Sequence, residues 1–153
     1  MLTGGRAMNK LASHWLVAGF LLVWGMAYAG LVFFTFGIST PDHWAALVSE
    51  GRITAEYADY ISRIPAWVVV ITVLAALTRL IGAICLLLRL HWALVAYGVS
   101  LCFVTLIMLR GFVLADVASV IRGSQIVLEL VFLSISVFAV WYANRQIQNG
   151  VLK

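Results

Sequence analysis

What this chain has least of is charge. Ten Lys and Arg and six Asp and Glu make up 10% of its 153 residues, against 64% hydrophobic. A soluble domain carries roughly a quarter charged residues. So few charges exclude a water-facing surface over most of the chain, and lipid is its natural solvent. Cysteine is as sparse: Cys85 and Cys102 fall inside apolar runs with no CxxC spacing, which leaves them as small core residues. The histidines are too scattered for a metal set, and His43 completes none. No Ser-His-Asp set, phosphate-binding glycine loop, paired-carboxylate site or HExxH motif occurs, so enzymatic catalysis has no support in the sequence. The net charge of +4 and the pI of about 9.4 come from basic residues scattered singly. Without a basic patch, a nucleic-acid partner is excluded. There is no internal repeat, no low-complexity stretch and no sign of a second, soluble domain.

What is present is apolar sequence in four runs. The first, Trp15 to Ile38, is long enough at ~1.5 Å per residue to cross a ~30 Å hydrocarbon core. The second, Ala66 to Leu88, opens after Pro65, a good first-turn signal. A short link, Arg89-Leu90-His91, leads into the third, Trp92 to Leu109, and the fourth runs from Ser124 to Tyr142 before the polar tail Asn144-Arg145-Gln146. Trp15, Trp67, Trp92 and Trp141 with Tyr142 mark span ends, where amphipathic rings prefer the headgroup level. These runs predict one all-α domain over residues 1–153, a four-transmembrane-helix bundle. Arg6 and Lys10 precede the first run, and Ala27-Tyr28-Ala29 imitates a signal-peptidase site. Because apolar residues continue to Ile38, that site would lie within the bilayer, and the segment reads as a retained span.

Four spans put both ends on one side, with Arg6, Lys10, Arg89, Arg145 and Lys153. The other side carries Arg52, Arg63, Arg110 and Arg122, together with Asp42, Glu50, Glu56, Asp59 and Asp116. This bias favours cytoplasmic termini. The loop from Ser39 to Pro65 is too long for a mere connector. Thr40-Pro41-Asp42 starts a short helix carrying Trp44, Leu47 and Val48, which Gly51 stops. Thr54 caps a second, with Tyr57, Tyr60, Ile61 and Ile64 on one face. Both are amphipathic and are expected to lie on the outer membrane surface or to roof the bundle. The apolar link Gly111 to Gly123 reads as an interfacial helix or an extension of the third span.

Two stretches carry a resemblance. Thr54-Ala55-Glu56-Tyr57, Tyr60 and Ile64-Pro65-Ala66-Trp67 form the first, and Ile81 through Ala93, with Gly82, a leucine run, Arg89 and Trp92-Ala93, the second. Together with Trp24 they resemble the small bacterial membrane proteins of the DoxX-like kind, over roughly Trp15 to Leu101. The resemblance implies a four-helix bundle of the bacterial inner (cytoplasmic) membrane, often an accessory subunit of a larger system; many relatives are labelled "sugar transporter". Where such proteins often carry Asn and Asp in the first helix, this chain has Gly25 and Leu31.

Arg79 lies near the middle of the second span and Glu129 within the fourth. A charge at bilayer depth costs at least ~2.5–3.5 kcal/mol unless it faces protein or water and finds a partner. Counted from the outer ends, Arg79 is about thirteen residues deep and Glu129 about six, an offset of ~10 Å at 1.5 Å per residue. A long arginine leaning toward its helix N-terminus covers much of that gap. The pair reads either as a structural ion pair or as a polar ligand pocket in the outer half, with Gln125 extending the network or else facing the headgroups. His14 and His91 begin the first and third spans at one level. They read as interfacial histidines beside Trp15 and Trp92, or as axial ligands of a b-type haem. The leading expectation is a non-enzymatic bundle acting as accessory subunit of a larger membrane complex. The alternatives are a small-solute transporter working as an oligomer through Arg79 and Glu129, and a haem-binding electron-transfer subunit. Membrane lipid and other membrane subunits, or further copies of the chain, are the expected partners.

Overall fold

Lipid offers no hydrogen bonds to a peptide backbone, so each span must satisfy its amides internally, and a helix does so within one segment. In the computed structural model the described residues are 3–38, 40–114 and 123–153, with backbone alone at 3–11, 38, 113, 114 and 123–125. They form α1 (Thr3–Phe33), α2 (Pro41–Ser49), α3 (Ala55–Ser62), α4 (Ala66–Leu87), α5 (Trp92–Leu109) and α6 (Gly123–Gln148), with no strand. Four stretches are long and apolar enough to cross a membrane: Ala12–Gly37, Ala66–Leu87, Trp92–Phe112 and Ile126–Gln148. The chain is thus an all-α, multi-pass membrane protein built as a four-helix bundle.

Two ends differ from expectation. α1 begins at Thr3, well before the apolar run, and α6 continues past Tyr142 to Gln148. On the loop side, α1 and α5 finish in wider π-helical turns, Phe34–Ile38 and Arg110–Leu114. The link from Gly111 therefore starts as an extension of the third span. Its residues 115–122 lie outside the described residues.

The loop helices form as their caps dictate. Thr40 accepts from the His43 N–H at 3.3 Å and Pro41 fills the first turn of α2; Thr54 accepts from the Tyr57 N–H at 3.2 Å at the start of α3. Three helix ends close with the same pair of main-chain bonds. After α2, Arg52 N–H reaches Leu47 C=O and Gly51 N–H reaches Val48 C=O, both at 3.0 Å. After α6, Val151 bonds Gln146 and Gly150 bonds Ile147; after α4, Leu90 bonds Cys85 and Arg89 bonds Leu86. This closure needs one residue in the left-handed region. Gly51 and Gly150 supply it with φ of 68°, whereas at the end of α4 it is Arg89, with φ of 58°. A side chain there costs about 1 kcal/mol that glycine avoids.

α4 approaches both α5 and α1 closely, and α5 approaches α6. Ser100 Oγ ties α5 to α4 by donating to Ala75 C=O at 2.9 Å. The tight core sits toward the terminal side, where Ala18, Ala83, Ala93, Ala139 and Ala143 pack with Leu21, Leu86, Tyr97, Tyr142 and Leu152. Small residues let helix backbones approach in lipid, where dispersion and not water drives packing. Gly25 belongs to this inward packing: a Cβ there would stand 3.3 Å from Leu80 Cδ2 and 3.7 Å from Arg79 Cγ. The tail then folds over the terminal face. Lys153 N–H donates to Arg89 C=O at 2.8 Å, and His91 N–H donates to Lys153 C=O at 2.9 Å.

Candidate functional site

Arg79 is the one described charge buried in the bundle, 3% exposed. The expected ion pair with Glu129 is not formed: among the described residues, the ion pairs are Glu50–Arg52 and Asp59–Arg63, both in the loop helices. Instead the guanidinium lies over the Tyr28 ring, 4.3 Å from its centroid, and Nη2 donates to Ser136 Oγ. Ser136 Oγ in turn donates to Phe132 C=O at 2.7 Å. The reason is depth. Ser136 lies seven residues beyond Glu129 on α6, ~10 Å along the helix axis and level with Arg79. An arginine that spends its length crossing the bundle has none left to climb two turns. The Tyr28 face, worth about 2 kcal/mol when desolvated, and one charged hydrogen bond, worth ~1.5–3 kcal/mol, are of the order of the burial cost. Among the described residues, Arg79 Nη1, Tyr97 Oη and Trp24 Nε1 have no hydrogen-bond partner.

Glu129 faces a different place. In the loop half, α1, α3, α4, α5 and α6 enclose a cavity of about 400 Å³. Its walls are mostly apolar, Val32, Val68, Val104 and Phe132 among them, with Tyr28, Tyr57, Tyr60, Arg110, Thr72 and Glu129 as polar members. Its size falls in the usual range of small-molecule pockets, roughly 300–1,000 Å³. The amphipathic face expected on α3 is what closes it, since Tyr57, Tyr60, Ile61 and Ile64 all line it. Of the two placements expected for the loop helices, α3 therefore takes the roof. Thr35, Phe36 and Arg110 of the two π-helical turns also border the cavity, and π-turns recur at functional sites. Arg110 Nη1 donates to Tyr60 Oη at 3.3 Å. Glu129 has no hydrogen bond or ion pair among the described residues. Tyr28 lies between the two charges, stacked on Arg79 and lining the cavity with Glu129. Burial, then the Glu129 carboxylate and Tyr60, hold the Tyr57 phenol above its ordinary pKa. The Gln125 side chain lies outside the described residues.

The two histidines of the terminal side part company. His14 is buried at 1% exposure, and its Nε2–H donates to Leu86 C=O at 3.2 Å. Its Nδ1 then accepts from Tyr142 Oη at 3.5 Å, over a ring stacked at 6.3 Å. His91 is exposed at the head of α5 against Trp92, with ring centroids 5.2 Å apart. Of the two, only His14 lines a cavity that opens on the terminal side, so the two imidazoles do not share one. His14 therefore departs from the interfacial placement that His91 keeps. No group of three or more His, Cys, Asp or Glu able to hold a metal ion occurs among the described residues.

Sequence reasoning singled out Arg79 and Glu129 but missed Tyr28, Ser136, Tyr60 and Arg110. Ser136 carried a usable signal, a hydroxyl on α6 at the depth of Arg79. Compared with known proteins, the chain matches no family model, and neither a curated protein nor a solved structure is significantly similar to it.

Proposed function

We propose that this protein is a non-enzymatic membrane bundle that binds a small amphipathic solute in its loop-side cavity and works as an oligomer in its transport. One observation carries the reading: Glu129, a carboxylate near the loop-side end of a span, borders a cavity and has no hydrogen bond or ion pair among the described residues. An acid within a membrane span marks a ligand path by default. The apolar walls hold the body of such a solute, and Glu129 and the Tyr57 and Tyr60 hydroxyls take its hydrogen-bond donors. Four helices offer little further room, so a complete path requires a second copy. The DoxX-like resemblance supports the same reading, with the bacterial inner membrane as its location and cytoplasmic termini.

Native mass spectrometry of protein extracted gently from its host's membranes tests this. The expected mass is that of the chain or a small multiple, plus a solute that Glu129→Gln releases. A solute retained by that variant, or none in either protein, overturns the proposal. A second reading, an accessory subunit of a larger membrane complex, is favoured by Gly19 and Gly30 on α1. A Cβ at either would meet nothing within 4 Å, which leaves room for a foreign helix to approach. A mass that requires other polypeptides supports it.

A further inference from the structure

The terminal side holds a second and larger cavity, of about 730 Å³, that the solute reading does not use. Its walls include Arg89, Lys153, His14, Gln146 and Asn149. Among the described residues every acidic side chain belongs to the loop half: Asp42, Glu50, Glu56 and Asp59 around α2 and α3, and Glu129 in the first half of α6. The cavity thus presents basic and amide groups and no carboxylate side chain, since the His14 ring nitrogens are already engaged. A concave site of that composition selects an anionic group rich in hydrogen-bond acceptors.

The backbone supplies an independent observation. Of the three helix ends that close through a left-handed residue, two use glycine and one uses Arg89. Nothing in the closing turn calls for an arginine, because both of its bonds are main-chain to main-chain. A non-glycine residue kept in strained backbone is a pointer to function. What the side chain does is visible: it lines the cavity, and its guanidinium lies over Trp15, 5.6 Å from the ring centroid. Trp15 is exposed near the end of its span, where tryptophan marks the headgroup level. The charge is therefore held at the depth of lipid phosphates.

We infer that this cavity binds the phosphate group of an anionic phospholipid, with Arg89 as its principal cation and Lys153, Gln146 and Asn149 as supporting donors. A free phosphate ion shares this chemistry, but the stacking of Arg89 on Trp15 at the membrane surface favours the lipid.

The test uses the full-length protein in nanodiscs of phosphatidylcholine alone or mixed with phosphatidylglycerol, with retained lipids counted by native mass spectrometry. The wild type is expected to keep phosphatidylglycerol in preference to phosphatidylcholine. Arg89→Gly should lower that preference about fivefold, the effect of one basic residue near an anionic surface. Its unfolding temperature in phosphatidylcholine should not fall, since glycine is what the turn prefers. Arg145→Gln removes the same charge from the same face, but from a residue that stacks on Trp141 and does not line the cavity; it should leave the preference intact. Equal losses in the two variants would mean diffuse surface charge and overturn the site, as would unchanged retention in Arg89→Gly. Stabilisation by inorganic phosphate in pure phosphatidylcholine discs, with no lipid preference, would assign the cavity to a soluble anion and overturn the lipid.

Discussion

The two halves of the bundle treat their polar groups in opposite ways. In the terminal half, which also holds the alanine-rich core, His14 has both ring nitrogens engaged, by Leu86 C=O and by Tyr142 Oη. In the loop half Glu129 borders a cavity with no hydrogen bond or ion pair among the described residues, and two of the four spans end in π-turns. Arg79 marks the border, stacked on Tyr28 and bonded to Ser136, with Nη1 left unpartnered. A satisfied polar group among small residues fixes one arrangement of helices. An unsatisfied one beside empty volume leaves interactions for something else to make. Among the helices themselves, the terminal half packs tightly through small residues and the loop half encloses empty volume.

The sharpest way to break this division is to add volume to the tight half. Ala83 is fully buried where α4 meets its neighbours, and Ala83→Leu is expected to cost about 1–3 kcal/mol or more. Ile107→Phe, which adds volume toward the cavity, should cost far less. Thermal unfolding in detergent reads both, and equal losses would erase the contrast. Next in size is His14→Leu, which strips Tyr142 of its partner and removes one bond to the end of α4. About 1–3 kcal/mol is expected; an unchanged midpoint would show that the imidazole holds nothing. The smallest effect belongs to the roof. Tyr57 has its pKa raised, mainly by burial and then by Glu129. A raised phenol contributes stability that is complete below the unfolded value of about 10 and is lost as pH rises through the folded one. The docking of α3 should therefore hold at neutral pH and weaken in that alkaline window. Tyr57→Phe should remove this step from the profile of stability against pH, and identical profiles would refute it.

The sequence by itself determined what varies along the helix axes. Four apolar runs set the spans, Thr40, Thr54 and Pro65 set three helix starts, and Gly51 set a stop. Depth was equally legible, for residue counts place Arg79 and Glu129 about two turns apart, which is why no ion pair joins them. The direction around each axis came from the packing of the helices against one another. In water an apolar stripe tells which face of a helix turns inward. In lipid every face of a span is apolar, so the pattern carries no such signal. That is why His14 turns into the core while His91 stays outside, and why Tyr28 and Ser136 meet Arg79. For α3 the sequence did show the apolar face and left open only its seat, which the fold sets over the cavity. The same holds for Arg89: the sequence shows an arginine at the end of a helix, and only the fold shows it occupying the place of a glycine.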